Sequence, residues 1–311
     1  MELSLLLSEQ IASLFLFVAA GYVSVKAGLF QSGDSKIISN MVVYICSPCM
    51  IVYSFQIELT KDKVQGLLLA ATAAVFVHIL LIAWTALLRK PLNLNSIERA
   101  SLIYTNSGNL IIPLVAAVMG PEWVFYTNAY NIVQTVLIWT HGCRLIGQQS
   151  EDWDYRKILV NPNIIAMMAG FFFFAAGIHM PSVIGTCIEG FGSMIGTAGM
   201  FAIGMVIGNM DLKWVFSRKR PYFVCVIRLL LYPSVIAAVF AMIVRMGIHR
   251  QAKDILLVVF LAAAAPAAAM VTQLAQIYDR DSKYASVINV MSVIFCIVTM
   301  PLMVMLYGLF A

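Results

Sequence analysis

The chain has 311 residues, of which 61% are hydrophobic and only 11% charged, whereas a soluble domain carries about 25% charged residues. Apolar stretches recur along the whole length, each long enough to cross a hydrocarbon core of roughly 30 Å as a helix, which excludes a soluble enzyme or a nucleic-acid-binding domain. The net charge of +5 sits in short loops between those stretches and reads as a topology signal, with no nucleic acid as partner.

The first apolar run, Ile11 to Val25, follows an acidic lead (Glu2, Glu9) and is read as a retained helix, because no small-residue cleavage site comes before the next run. A window of about 19 residues places ten spans, at 9–26, 36–56, 66–88, 97–119, 122–145, 161–178, 188–210, 222–246, 254–276 and 284–309. The expected fold class is therefore an all-α polytopic membrane protein. Loops after odd-numbered spans hold fourteen Lys and Arg residues, and those after even-numbered spans hold five. By the positive-inside rule the first set is cytoplasmic and both termini lie outside. The longest polar loop, Gly147 to Lys157, falls mid-chain. It divides the sequence into 1–146, a linker 147–160 and 161–311, with five spans in each half. Two repeats of five spans must be inverted relative to each other.

Span 4 reads SLIYTNSGNLIIPLVAAVMG, with Asn106, Ser107, Gly108, Asn109 and Pro113 at its centre. Proline removes an amide donor and glycine tolerates non-helical angles, so the helix is expected to break there. Span 9 carries Pro266 within LAAAAPAAAM, where small residues permit close helix approach. Two broken helices at matching positions of inverted halves point to a transporter's binding site. The half-helix after Pro113 is expected to present free amides and a positive dipole end to a carboxylate, with Asn106 and Asn109 as neutral donors. The alternative is a proline kink whose asparagines bond between helices.

Span 5 adds Asn128, Tyr130, Asn131 and Gln134. Span 10 adds Ser286 and Asn289, and span 9 Thr272 and Gln273. Each polar residue is either cavity lining or glue between helices, and the sequence leaves both open. The Asp and Glu side chains fall in loops or near span ends, which leaves no deep carboxylate to carry an ion. Arg228 is the one deep basic residue. Snorkelling to the interface is its preferred reading, and an anionic substrate or charge coupling the other. His78 and His141 are read as bonded to neighbouring helices, with His141 also a candidate for proton coupling. The six cysteines are read as packing residues, with no metal or other cofactor expected. No phosphate-binding loop and no His-Glu-x-x-His motif is present, which speaks against an ATP-driven pump or a metalloprotease.

Several short motifs together resemble the auxin efflux carrier family of bacterial permeases, relatives of the plant PIN and PIN-like auxin carriers. They are Asn106-Ser107-Gly108-Asn109 running into Pro113-Leu114, Asn161-Pro162-Asn163-Ile164-Ile165-Ala166, Ala265-Pro266-Ala267 and the closing stretch from Ala275 through Asp281 to Thr299-Met300-Pro301-Leu302. The resemblance spans essentially the whole chain. It implies inverted five-helix repeats with crossing broken helices 4 and 9, as in the bile acid sodium symporter fold. A scaffold domain (spans 1, 2, 6 and 7) and a transport domain (spans 3–5 and 8–10) would move in elevator fashion in a bacterial cytoplasmic membrane, often as a homodimer. It also implies carboxylate substrates such as malate or auxin, met by Asn106, Asn109, Asn131 and Gln134. Sodium coupling through Thr272, Gln273 and unwound carbonyls, or proton coupling through a histidine, stays open. Many bacterial members carry glycine two residues before the span 4 proline, where this chain has Ile111. A non-transporting sensor or lipid-binding module of the same fold is the rival reading.

Overall fold

The computed structural model describes residues 13, 16–31, 34–58, 60–147, 160, 162–208 and 210–310. The linker expected at 147–160 therefore lies outside the described residues except for its two ends, as does most of the chain before Leu16. Among the described residues the structure is helical, and its only strand-like feature is one isolated bridge.

In chain order the helices are α1 (Leu16–Lys26), α2 (Asp34–Ser54), α3 (Lys61–Leu88), α4 (Ser96–Ile103), α5 (Ser107–Val118) and α6 (124–147, with one π turn at Ile138–Gly142). The second half has α7 (Pro162–Ala176), α8 (Ser182–Gly208), α9 (Leu212–Ser217), α10 (Lys219–Arg245), α11 (Ala252–Ala264), α12 (Ala269–Ile277) and α13 (Ser282–Phe310). Five of them, α2, α3, α8, α10 and α13, are long and apolar enough to cross a membrane. Shorter apolar helices α1, α5 and α7 accompany them.

Two helices begin earlier than the hydropathy reading has them, because charged residues lie within their opening two turns. Thr60 caps α3 by accepting from the Lys63 amide, so the helix begins at Lys61, five residues before the apolar window. Likewise α8 begins at Ser182 and carries Glu189 in its second turn. Helical hydrogen bonding continues through charged residues that a hydropathy window rejects.

The helices pack in two groups. In one, α2 lies against α7 and α8, and α1 meets α8 so closely that a Cβ on Gly204 would strike the Val18 carbonyl, and one on Gly21 the Phe201 carbonyl. In the other, α3 packs on α6 and α11, α10 on α11 and α13, and α13 on α4 and α12. The groups meet where α5 lies on α8 and where Phe55, just past the end of α2, meets Phe125 of α6 edge-on, 5.1 Å between ring centroids. Gly204→Ala should destabilise the protein by about 1–3 kcal/mol through overpacking. Gly185→Ala, on the same helix with open space around it, should change little. Comparative unfolding in detergent reads both.

At one end of the second group, buried Glu98 of α4 accepts from Arg220 of α10 (Nε to Oε1, 2.8 Å) and from the Tyr284 hydroxyl of α13 (2.7 Å), tying three helices together. This carboxylate lies at a span end, as the sequence reading has it, and is fully engaged.

Candidate functional site

The span 4 break lies earlier than Pro113. Helix α4 ends at Ile103, residues 104–106 are extended or irregular, and α5 opens with a π turn, Ser107–Ile111. Pro113 sits in the first turn of the following α segment, Ile112–Val118, a position where its missing amide costs little. The free helix N-terminus is thus at Ser107–Asn109, and the expectation of a half-helix starting after Pro113 is corrected. Pairing with the second broken helix fixes the break. Thr105 and Ala267 form an antiparallel bridge, with the Asn106 amide donating to the Pro266 carbonyl (2.8 Å) and the Ala268 amide to the Tyr104 carbonyl (3.0 Å). The span 9 break falls as read, with α11 ending at Ala264 and α12 starting at Ala269 around Pro266.

Two extended segments crossing inside a bundle carry backbone groups that have no helical partner and no bulk water, and each must be met internally. Gln134 of α6 does most of this for Thr105. Its Oε1 accepts from the Thr105 amide (2.8 Å) and hydroxyl (2.9 Å), while Nε2 donates to the Thr105 carbonyl (2.8 Å) and the Ser107 hydroxyl (3.2 Å). Ser107 donates in turn to Asn131 Oδ1 (2.6 Å). On the other segment, Asn289 Nδ2 donates to the Ala267 carbonyl (2.6 Å) and the Ala267 amide donates to the Ser292 hydroxyl (3.1 Å).

Arg228 does not snorkel. It is 1% exposed, and its Nη2 donates to the carbonyls of Ala263 (2.6 Å) and Ala265 (2.8 Å), with Nη1 reaching the Leu102 carbonyl at 3.5 Å. Those carbonyls are the C-terminal ends of α11 and α4. Both negative dipole ends therefore meet one guanidinium, the arrangement that a helix macrodipole favours. The physical reason snorkelling fails is that these fixed carbonyls solvate the charge where it stands.

A cavity of about 200 Å³ opens beside the bridge, between the two helix groups. Asn106, Asn109, Gln273 and Asn289 line it, together with Ser39 of α2, Gly199 of α8 and an apolar wall that includes Val42, Ile203 and Val293. The N-termini of α5 and α12 lie at this cavity, with Asn109 and Ala269 among its lining residues. Gly108 is half-buried next to it in sequence. The Asn109 carbonyl lies near Gly199, 3.8 Å from where a Cβ at that position would stand. That carbonyl is four residues before Pro113, which has no amide to meet it.

The remaining predicted residues stand outside the lining. Ser107, Asn131 and Gln134 form the buried support just described. Pro113 lines a second cavity of about 340 Å³ with Tyr53, Glu189 and Gly196, at the other end of the α5–α8 contact. Thr272 is half-buried and does not line the crossover cavity. The carbonyls of Tyr104, Thr105, Ala265, Pro266 and Ala267 each already accept a hydrogen bond. His141 Nδ1 pairs with the Tyr104 hydroxyl at 2.7 Å, so its partner is on the extended crossover segment and not on a neighbouring helix. His78 instead bonds its own helix, Nδ1 to the Ala74 carbonyl at 2.8 Å, and its ring lies tilted against that of Tyr130 of α6, 4.5 Å between centroids. Asn128 is glue, its Nδ2 donating to the Ser54 hydroxyl of α2 (2.9 Å).

Sequence reasoning missed Ser39, Gly199, Thr105 and Ser292. Ser292 stands three residues from Asn289 and so shares its helix face. For Ser39 and Gly199 the sequence carries no signal, because only the packing of α2 and α8 on α5 brings them in.

A comparison with curated proteins finds no match. The family model described as membrane transport protein matches residues 6–304, nearly the whole chain. Helices long and apolar enough to cross a membrane agree with a multi-pass membrane protein. The chain belongs to the membrane transport protein family, that of the auxin efflux carriers and their PIN-like relatives.

Proposed function

We propose that the chain is a secondary transporter of a small organic anion, a carboxylate of the malate or auxin type, that binds at the crossing of the two broken helices. The observation that carries this reading is electrostatic. Arg228 occupies the two negative helix ends, while the two positive N-terminal ends face a cavity lined by neutral amides. Such a site attracts an anion without holding a competing charge of its own. Its size falls below the roughly 300–1,000 Å³ of drug-sized pockets, which suits a small acid.

The two cavities at opposite ends of the α5–α8 contact support alternating access, with α3–α6 and α10–α13 sliding as a transport domain past a scaffold of α1, α2, α7 and α8. In this reading the chain has ten spans as two inverted repeats, α4–α5 matching α11–α12, and works as a homodimer in a bacterial cytoplasmic membrane with both termini outside. The crossover carbonyls are engaged already, which favours flux driven by the substrate gradient or membrane potential over a sodium ion held there.

Uptake of labelled malate and a panel of carboxylates into proteoliposomes, with sodium, pH gradient and potential varied separately, tests the proposal. Asn109→Ala should leave a folded, monodisperse protein and lower uptake at least tenfold, the effect of losing about 1.4 kcal/mol of binding. Unchanged uptake in that variant removes the site assignment. Ligand-dependent stabilisation without flux of any compound would favour a sensor.

A further inference from the structure

Away from the crossover, where α3 and α6 end and α4 begins, a cavity of about 540 Å³ is walled by Arg89, Arg99, Arg144 and His141, with Leu94 and Leu145 beside them. No carboxylate is among the described residues that line it. Glu98, next in sequence to Arg99, is taken by Arg220 and Tyr284. The gathered charges repel, Arg89 acting on Arg99. The Nε of Arg99 is buried without a hydrogen-bond partner, an arrangement that is costly for a charged donor. Asn95 and Ser96, which open α4, also line the cavity.

A topology signal requires positive charge in the loops on one side of the membrane. It does not require Arg89 and Arg99 to converge on one cavity with the Arg99 Nε buried and unpaired. What satisfies such a set is an anion with several oxygens, since guanidinium forks match phosphate geometry.

We propose that this cavity binds a phosphate group, presented by the headgroup of an anionic phospholipid or by a soluble phosphate. Basic pockets between membrane helix ends take acidic headgroups. The site is one side chain from the crossover. His141 pairs with the Tyr104 hydroxyl, and the Tyr104 carbonyl receives the Ala268 amide. Occupancy thus bears on the segment that forms the bridge. The inference does not rest on the transport reading.

The test uses the full chain, delipidated in a neutral detergent. Its unfolding midpoint is titrated with inorganic phosphate, and separately with phosphatidylglycerol against phosphatidylcholine of the same acyl chains. A saturable rise is expected with phosphate, with phosphatidylglycerol over phosphatidylcholine, or with both. Response to phosphate alone identifies a soluble source, and response to the lipid alone identifies a headgroup. Arg89→Gln/Arg99→Gln should bind at least about tenfold more weakly, the effect of losing one charge-assisted hydrogen bond. Arg89 is exposed, so Arg89→Gln alone serves if the double variant does not fold. No response to either probe, or equal responses in variant and parent, overturns the proposal.

Discussion

Arg228→Met will destabilise the protein by about 3 kcal/mol or more, because two buried carbonyls each lose a hydrogen bond to a charged donor, at about 1.5–3 kcal/mol apiece. Methionine keeps much of the side-chain volume and flexes to fill gaps, so a cavity is not the main cause. The loss arises because the carbonyls of Leu102, Ala263 and Ala265 then face one another in an apolar interior with their donor gone. Two negative helix ends are left without a counter-charge. Arg228→Lys should recover only part of the loss, since a single ammonium on a flexible stem cannot reproduce the planar fork that reaches two carbonyls from one nitrogen. Unfolding in detergent measures the magnitude, and hydrogen exchange at 102–106 and 263–268 should speed up before the rest of the bundle. Parent-like stability in the methionine variant would mean that other donors meet these carbonyls and that Arg228 is not their brace.

Gln134→Leu is expected to cost about 2–3 kcal/mol. Four hydrogen bonds disappear together, those to the Thr105 amide, hydroxyl and carbonyl and to the Ser107 hydroxyl. Individual bonds of this kind in membrane bundles average near 0.6 kcal/mol, up to about 1.7. The informative partner is Gln134→Glu. A carboxylate keeps both acceptor bonds and loses both donor bonds, so its effect separates holding the Thr105 amide from holding the Thr105 carbonyl. Because Gln134 does not line the crossover cavity, substrate affinity should fall only as far as the bridge loosens. Coupling to Asn131→Leu in a double-mutant cycle should be non-additive, since Ser107 bonds both side chains. Simple additivity would show two separate supports.

Much of the organisation is legible along the chain because it depends on local physics. Hydropathy over a window of helix length locates the apolar helices, and two prolines flanked by small and polar residues mark the two interruptions. The Asn106-to-Asn109 cluster announces a place where backbone is unmet, and Asn106, Asn109, Gln273 and Asn289 do come together at one cavity. The motif resemblance and the family match agree.

What the sequence by itself determined is which segments are apolar helices and where helical bonding fails. Those depend on side-chain transfer energies and on the covalent limits of proline and glycine. Only the tertiary structure decided how the failure is repaired. The break settles at Tyr104–Asn106, ahead of Pro113, because Thr105 finds Ala267 across the bundle and Gln134 beside it. Asn131 and Ser107 become buried support, and Ser39 and Gly199 enter the lining. Arg228 holds two helix ends where the sequence reading turned it toward the interface. In an apolar bundle each unmet polar group takes whatever partner the packing brings within about 3 Å. Sequence spacing does not encode that distance between helices far apart in the chain.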